Sequence, residues 1–272
     1  MLKKYVEYIT ESVDLDKQLL DASKNGDVNK VKELLDKGAD KEAKDNDGRT
    51  PLIKASRYGK TEVVKLLLEY DADEEAKDNE GWTPLILASW YGHTEVVKLL
   101  LEYGADKEAK NNGGWTPLIV ASEYGHTEVV KFLLDNNADI EAKNNYGDTP
   151  LILASRDGQT EVVKLLLENN ADIDTKNNYG KTPLILASLF GKTKVVKLLL
   201  EYGADINICD NNNTSCLNFK CKGVWEEEYT QELIISGQPQ NIKFFDDKIG
   251  ILPSLKVKYK EVIEMSELGI FG

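Results

Sequence analysis

The chain repeats itself at a fixed interval. The string Thr-Pro-Leu-Ile-x-Ala-Ser begins at Thr50, Thr83, Thr116, Thr149 and Thr182, a constant step of 33 residues, and TEVVKLLLEY or a close variant follows each copy. Such a period confines the fold to an array in which each unit meets only its neighbours, and it makes residues recur for packing reasons alone. One period before Thr50, residues 17–40 keep Leu19, Ala22, Ser23, Gly26 and Val31 in the same slots without the Thr-Pro start. One period after Thr182 the pattern decays: Leu217 holds its slot, but Cys216 replaces the proline and Lys220 the alanine.

Each unit reads as two short antiparallel helices and an extended finger. Thr116 suits an N-cap and Pro117 the first helical position, so the first helix is expected to start there and at the four equivalent sites. Gly125 and its counterparts mark the exit from that helix, and Thr127 is expected to cap the second. The slot ending the second helix holds Gly38, Asp71, Gly104, Asn137, Asn170 and Gly203. These are the residue types that tolerate positive φ, so a left-handed residue is expected in this slot of every unit. By the same logic Asn213 should keep the turn made by Gly48, Gly81, Gly114, Gly147 and Gly180. The apolar slots, Leu118, Ala121, Val129, Val130, Leu133 and Leu134 in one unit, are too few to enclose a core alone. Stacking of units must bury them.

A 33-residue unit with turn, Thr-Pro-Leu, helix, Gly-His, helix and Gly-Ala-Asp resembles the ankyrin repeat. The resemblance implies an all-α repeat solenoid, with β-hairpin-like fingers and the first helices lining a concave face. The family commonly has histidine after Thr-Pro-Leu, whereas this chain has Ile53, Ile86, Ile119, Ile152 and Ile185, so apolar packing replaces a polar tie. The expected organisation is an N-terminal capping helix over residues 1–15, a solenoid over 16–210, and a degenerate repeat with a helical cap over 211–272. Leu2, Tyr5, Val6, Ile9 and Val13 form the apolar stripe of the first cap. VWEEEYTQELIIS and PSLKVKYKEVIEMSEL read as helices of the last.

Charge narrows the partners. With 47 acidic against 34 basic side chains and a net charge of −13, the surface should repel nucleic acid and anionic lipid. The N-terminal residues lack the apolar run of a signal peptide and no segment approaches membrane-span length. Cys209, Cys216 and Cys221 are an odd set that does not suggest a disulfide framework. A cytoplasmic monomer is expected, in a host cytosol if the chain comes from a virus or an intracellular bacterium.

Ser122, Glu123 and His126 sit within five positions of one another, yet the serine slot recurs in every unit, which a catalytic residue has no reason to do. No enzyme activity, metal or cofactor is expected. The ladders Glu42, Glu75, Glu108, Glu141 and Lys44, Lys77, Lys110, Lys143, Lys176 place opposite charges two residues apart and read as a solvated surface.

Slots that vary between units are those stacking does not fix. The turn-tip slot runs Arg49, Trp82, Trp115, Asp148, Lys181. The slots closing the first helix run Arg57, Trp90, Glu123, Arg156, Leu189 and Tyr58, Tyr91, Tyr124, Asp157, Phe190. In the resembled family these positions form the concave binding surface, and clustered aromatics suit an interface hot spot. The expected partner contacts are therefore Arg49, Arg57, Tyr58, Trp82, Trp90, Tyr91, Trp115, Glu123, Tyr124, Tyr146, Asp148 and Arg156, holding a protein or peptide. In an alternative reading the repeats select a target and the C-terminal segment recruits other machinery. There ILPSLKVKYKEVIEMSEL faintly resembles the Leu-Pro start of F-box-like tails that follow ankyrin repeats in some large DNA viruses.

Overall fold

A computed structural model describes residues 2–215, with side chains from Asp14 onward. The expected helices at residues 224–236 and 253–268, the F-box-like segment, Cys216 and Cys221 lie outside the described residues, as does the apolar stripe from Leu2 to Val13 at side-chain level. Helix α1 (Leu2–Asn25) runs unbroken from the expected capping segment into the first helix of the first unit, and α2 (Val28–Asp36) completes that unit. Five pairs follow: α3 (Pro51–Arg57) and α4 (Thr61–Glu69), α5 (Pro84–Trp90) and α6 (Thr94–Glu102), α7 (Pro117–Glu123) and α8 (Thr127–Asp135), α9 (Pro150–Asp157) and α10 (Thr160–Glu168), α11 (Pro183–Leu189) and α12 (Thr193–Glu201). First helices pack on first helices in chain order from α1 to α11, and second helices likewise from α2 to α12.

The local rules explain these boundaries. Thr116 Oγ1 accepts the amide hydrogen of Ile119 at 3.3 Å, closing one of the orphan donors at the start of α7, and each of the other four threonines does the same. The second helices depart from expectation. Thr127 is their first helical residue and His126 the cap, and no side-chain cap bond forms at α4, α6, α8, α10 or α12. The turn slots behave as their residue types require: Asp71, Asn137, Asn170 and Asn213 have φ of 56°, 59°, 66° and 59°.

Stacking builds the core. Leu118, Ala121, Val129, Val130 and Leu133 are buried, and Leu134 is half-buried. Ile53 clusters with Ala76 and Leu87 of the next unit, Ile86 with Ala109 and Val120, and Ile119 with Ala142 and Leu153. Isoleucine after Thr-Pro-Leu thus fastens one unit to the next through apolar contact.

The fingers are turns. Among the described residues the only bridge of strand type joins Cys209 to Ser215. In the finger before α7, Asn111 N donates to Trp115 O at 3.2 Å, and Asn111 Oδ1 accepts from Gly113 N and Trp115 N. The charge ladders are also more than a solvated surface. Glu42, Glu75, Glu108 and Glu141 accept, through Oε1, the amide hydrogens of Asp73, Asp106, Asp139 and Asp172 one unit on, at 2.7–2.9 Å. Lys44, Lys110 and Lys143 donate to the carbonyls of Lys77, Lys143 and Lys176. These bonds tie otherwise unpaired finger backbone across the unit boundary.

Candidate binding site

Two consecutive units converge on one pocket. The turn before α5 carries Trp82, whose amide is fixed to Asp78 Oδ1 at 2.9 Å, and the turn before α7 carries Trp115, fixed to Asn111 Oδ1 at 3.0 Å. Trp90 closes α5, Glu123 closes α7, and Tyr124 follows it. With Val120 these residues line a surface pocket of about 220 Å³.

Packing against neighbours holds the rings. Trp90 lies 4.6 Å from Trp82 with planes at 44°, 5.8 Å from Tyr91 and near-parallel at 13°, and 5.5 Å from Tyr124 at 35°. Trp82 and Trp90 both lean on the Ile53 and Ile86 clusters, and Trp115 on the Ile86 and Ile119 clusters. The indole of Trp82 donates to Glu80 Oε2 at 3.0 Å. The tryptophans are therefore half-buried and anchored, while Tyr91 and Tyr124 are 40% and 47% exposed. The aromatic strip continues through Arg57, whose guanidinium lies 5.4 Å from the Tyr91 ring centroid and 5.9 Å from that of Tyr58.

One carboxylate, Glu123, belongs to the lining. Arg156, one unit on, pairs with Glu123 and forks onto Asp157 at 2.8 Å. Burial pushes the Glu123 carboxyl above its usual range against the pull of Arg156, and Asp157 and Asp148 push the same way. Burial, then the Glu123 charge, raises the Tyr124 hydroxyl. Asp157 and Glu123 hold Arg156 firmly protonated.

Most of the expected contact residues thus meet: Trp82, Trp90, Trp115, Glu123 and Tyr124 at the pocket, Tyr91, Arg57 and Tyr58 along the strip, Arg156 behind Glu123. The others sit elsewhere. Arg49 pairs with Asp47 at 2.7 Å and reaches Asp78 at 3.7 Å, and Tyr146 is 53% exposed at its own turn tip. Asp148 is buried, its amide bonded to Asn144 and its Oδ1 accepting from Asn177 at 2.8 Å, so it braces two fingers. Two residues at or beside the pocket, Val120 and Asp157, are not among the expected contacts. Val120 stands inside the apolar run of the first helix, and Asp157 shows in the sequence only as the occupant of a varying slot.

The histidines also have a structural task. His126 Nε2 donates to Trp90 O at 2.8 Å, and His93 Nε2 to Arg57 O at 3.1 Å, as the carbonyl partner requires. A Cβ on Gly92 would stand 2.5 Å from His126 Nδ1, so that turn must be glycine for closeness as well as for its φ of 73°. Ser122 is fully buried and His126 faces a carbonyl, so they form no nucleophile–base pair. Among the described residues no helix is long and apolar enough to cross a membrane.

A family model described as ankyrin repeats in three copies matches residues 19–111 and 139–210, and one described as ankyrin repeats in many copies matches residues 112–154. A search of curated proteins gave no match.

Proposed function

Because the chain belongs to the ankyrin-repeat family, whose repeats are generally protein–protein interaction modules, we propose that it is a non-enzymatic interaction scaffold. It holds a protein or peptide segment on the face made by its turn tips and first-helix ends. The observation that carries this reading is the pocket of about 220 Å³ between Trp82, Trp90, Trp115, Glu123 and Tyr124. Anchored aromatic walls beside a bordering charge are the usual make-up of an interface hot spot, because rigid rings give large contact area at small entropic cost.

The reading can be tested with selected ligands in place of the natural partner. Peptides selected from a displayed random library on the intact chain should lose about 30-fold or more in affinity against Trp90→Ala with Tyr124→Ala, the scale of a hot-spot truncation. Far-ultraviolet melting of the variant checks that the stack persists. Equal affinity in a folded variant would remove the pocket from the binding surface.

A further inference from the structure

We propose that this pocket receives a methylated ammonium group, presented as the side chain of a methylated lysine on the partner; the proposal rests on the interaction reading above. Four aromatic side chains, Trp82, Trp90, Trp115 and Tyr124, share the lining with one carboxylate, Glu123. Ring faces carry negative quadrupole density, and a cation held against several of them gains from each. Trp90 is fixed against Trp82, Tyr91 and Tyr124 by ring contacts of 4.6–5.8 Å, so the walls stand in place before a ligand arrives.

Charge selects the sign of the guest. The nearby ionic cluster is Glu123 and Asp157 sharing the single guanidinium of Arg156, with Asp148 close enough to disfavour ionisation of Glu123. Two carboxylates on one guanidinium leave an excess of negative charge beside the rings. The other arginine of the strip, Arg57, lies over Tyr58 and Tyr91 and is not part of the lining. An anionic guest would meet both the ring faces and this excess unfavourably.

Solvation selects methylation. A primary ammonium is compact, strongly hydrated and carries three donors that must be satisfied on entry. The pocket answers them with four aromatic side chains, one valine and one carboxylate whose Oε1 is already bonded to Arg156. A trimethylated ammonium keeps its charge, brings no N–H donor, and turns its methyl groups toward the rings. The lysine stem gives the reach to enter from a peptide lying along Tyr91, Arg57 and Tyr58.

The test uses the full chain and arrayed peptides with randomised flanks. Each peptide carries at its centre lysine, trimethyllysine, acetyl-lysine or the uncharged carbon isostere of trimethyllysine. Trimethyllysine should be retained about tenfold above the isostere, the scale of a desolvated cation–π contact. That preference should shrink in Glu123→Gln and vanish in Tyr124→Ala, with the melting curve showing that each variant folds. Equal retention of the isostere or of acetyl-lysine overturns the proposal, because the pocket is then merely apolar. Choline binding with no retained peptide form also overturns it, assigning the pocket to a small quaternary ammonium compound. If no central form is preferred while library-selected peptides still depend on Trp90 and Tyr124, the methyl-ammonium proposal fails and the interaction reading stands. Independence of both sets from these residues removes both.

Discussion

At the end of its first helix, the unit led by Thr83 carries Trp90 and Tyr91 where the unit led by Thr149 carries Arg156 and Asp157. Everything beneath those slots is shared. Thr83 and Thr149 cap their helices with the same 3.3 Å bond to Ile86 and Ile152. Glu75 and Glu141 tie to the next finger at the same 2.7 Å. One slot pair is filled by stacked rings and the other by an ion-pair fork, so the stack tolerates either and requires neither. The chemistry of the slots is thus separable from the stability of the array, as nearest-neighbour repeat architectures allow.

The severest way to break this comparison is to hollow the shared core in both places. Ile86→Ala and Ile152→Ala each remove a side chain with no solvent exposure, and each should cost about 2–5 kcal/mol in denaturant unfolding. Equal losses support a common scaffold. A clearly larger loss at Ile86, where Trp82, Trp90 and Trp115 all lean, would show that the aromatic slots are part of the core after all.

The repeat made most of the scaffold legible. The Thr-Pro start gave the caps of the first helices, and Gly, Asn and Asp in one slot gave the left-handed residues, down to Asn213 with φ 59° in the decayed unit. Capping at Thr127 failed because the helix begins on the threonine itself, which leaves His126 in the cap position with its ring on the carbonyl of Trp90. The glutamate ladder looked solvated because each carboxylate meets its partner 31 residues away, through a backbone amide that carries no side-chain signature. At the site, variation between units pointed to Trp82, Trp90, Trp115 and Tyr124. It could not separate Asp148, which varies in type yet is buried between fingers.

Cutting one finger tie in each region gives a smaller effect. Glu75→Ala frees the amide of Asp106, and Glu141→Ala frees that of Asp172. Each should lower stability by about 1 kcal/mol, the usual net value of one hydrogen bond, and hydrogen exchange at Asp106 and Asp172 should quicken to the same degree. Unequal protection would place the two fingers in different environments and sharpen where the scaffold ceases to be uniform.

The smallest expected effect is one of pH. Burial raises the carboxyls of Glu75, Glu141 and Asp174 above their ordinary values, against the amide bonds that pull them down. A carboxyl raised on folding holds its proton more tightly in the native state, so its contribution to stability is full below the unfolded value and is lost as pH rises through the folded one. Lowering the pH from neutrality toward the carboxylate range should therefore raise the unfolding temperature slightly. Relief of self-repulsion in a chain of net charge −13 acts in the same direction, so the rise alone does not identify its source. Glu75→Ala and Glu141→Ala should each flatten it equally, while Glu128→Ala, which removes an exposed carboxylate on α8 with the same change in charge, should leave most of it. If Glu128→Ala flattens the curve as much as the other two, the effect belongs to net charge, and the finger carboxylates are energetically no different from the surface.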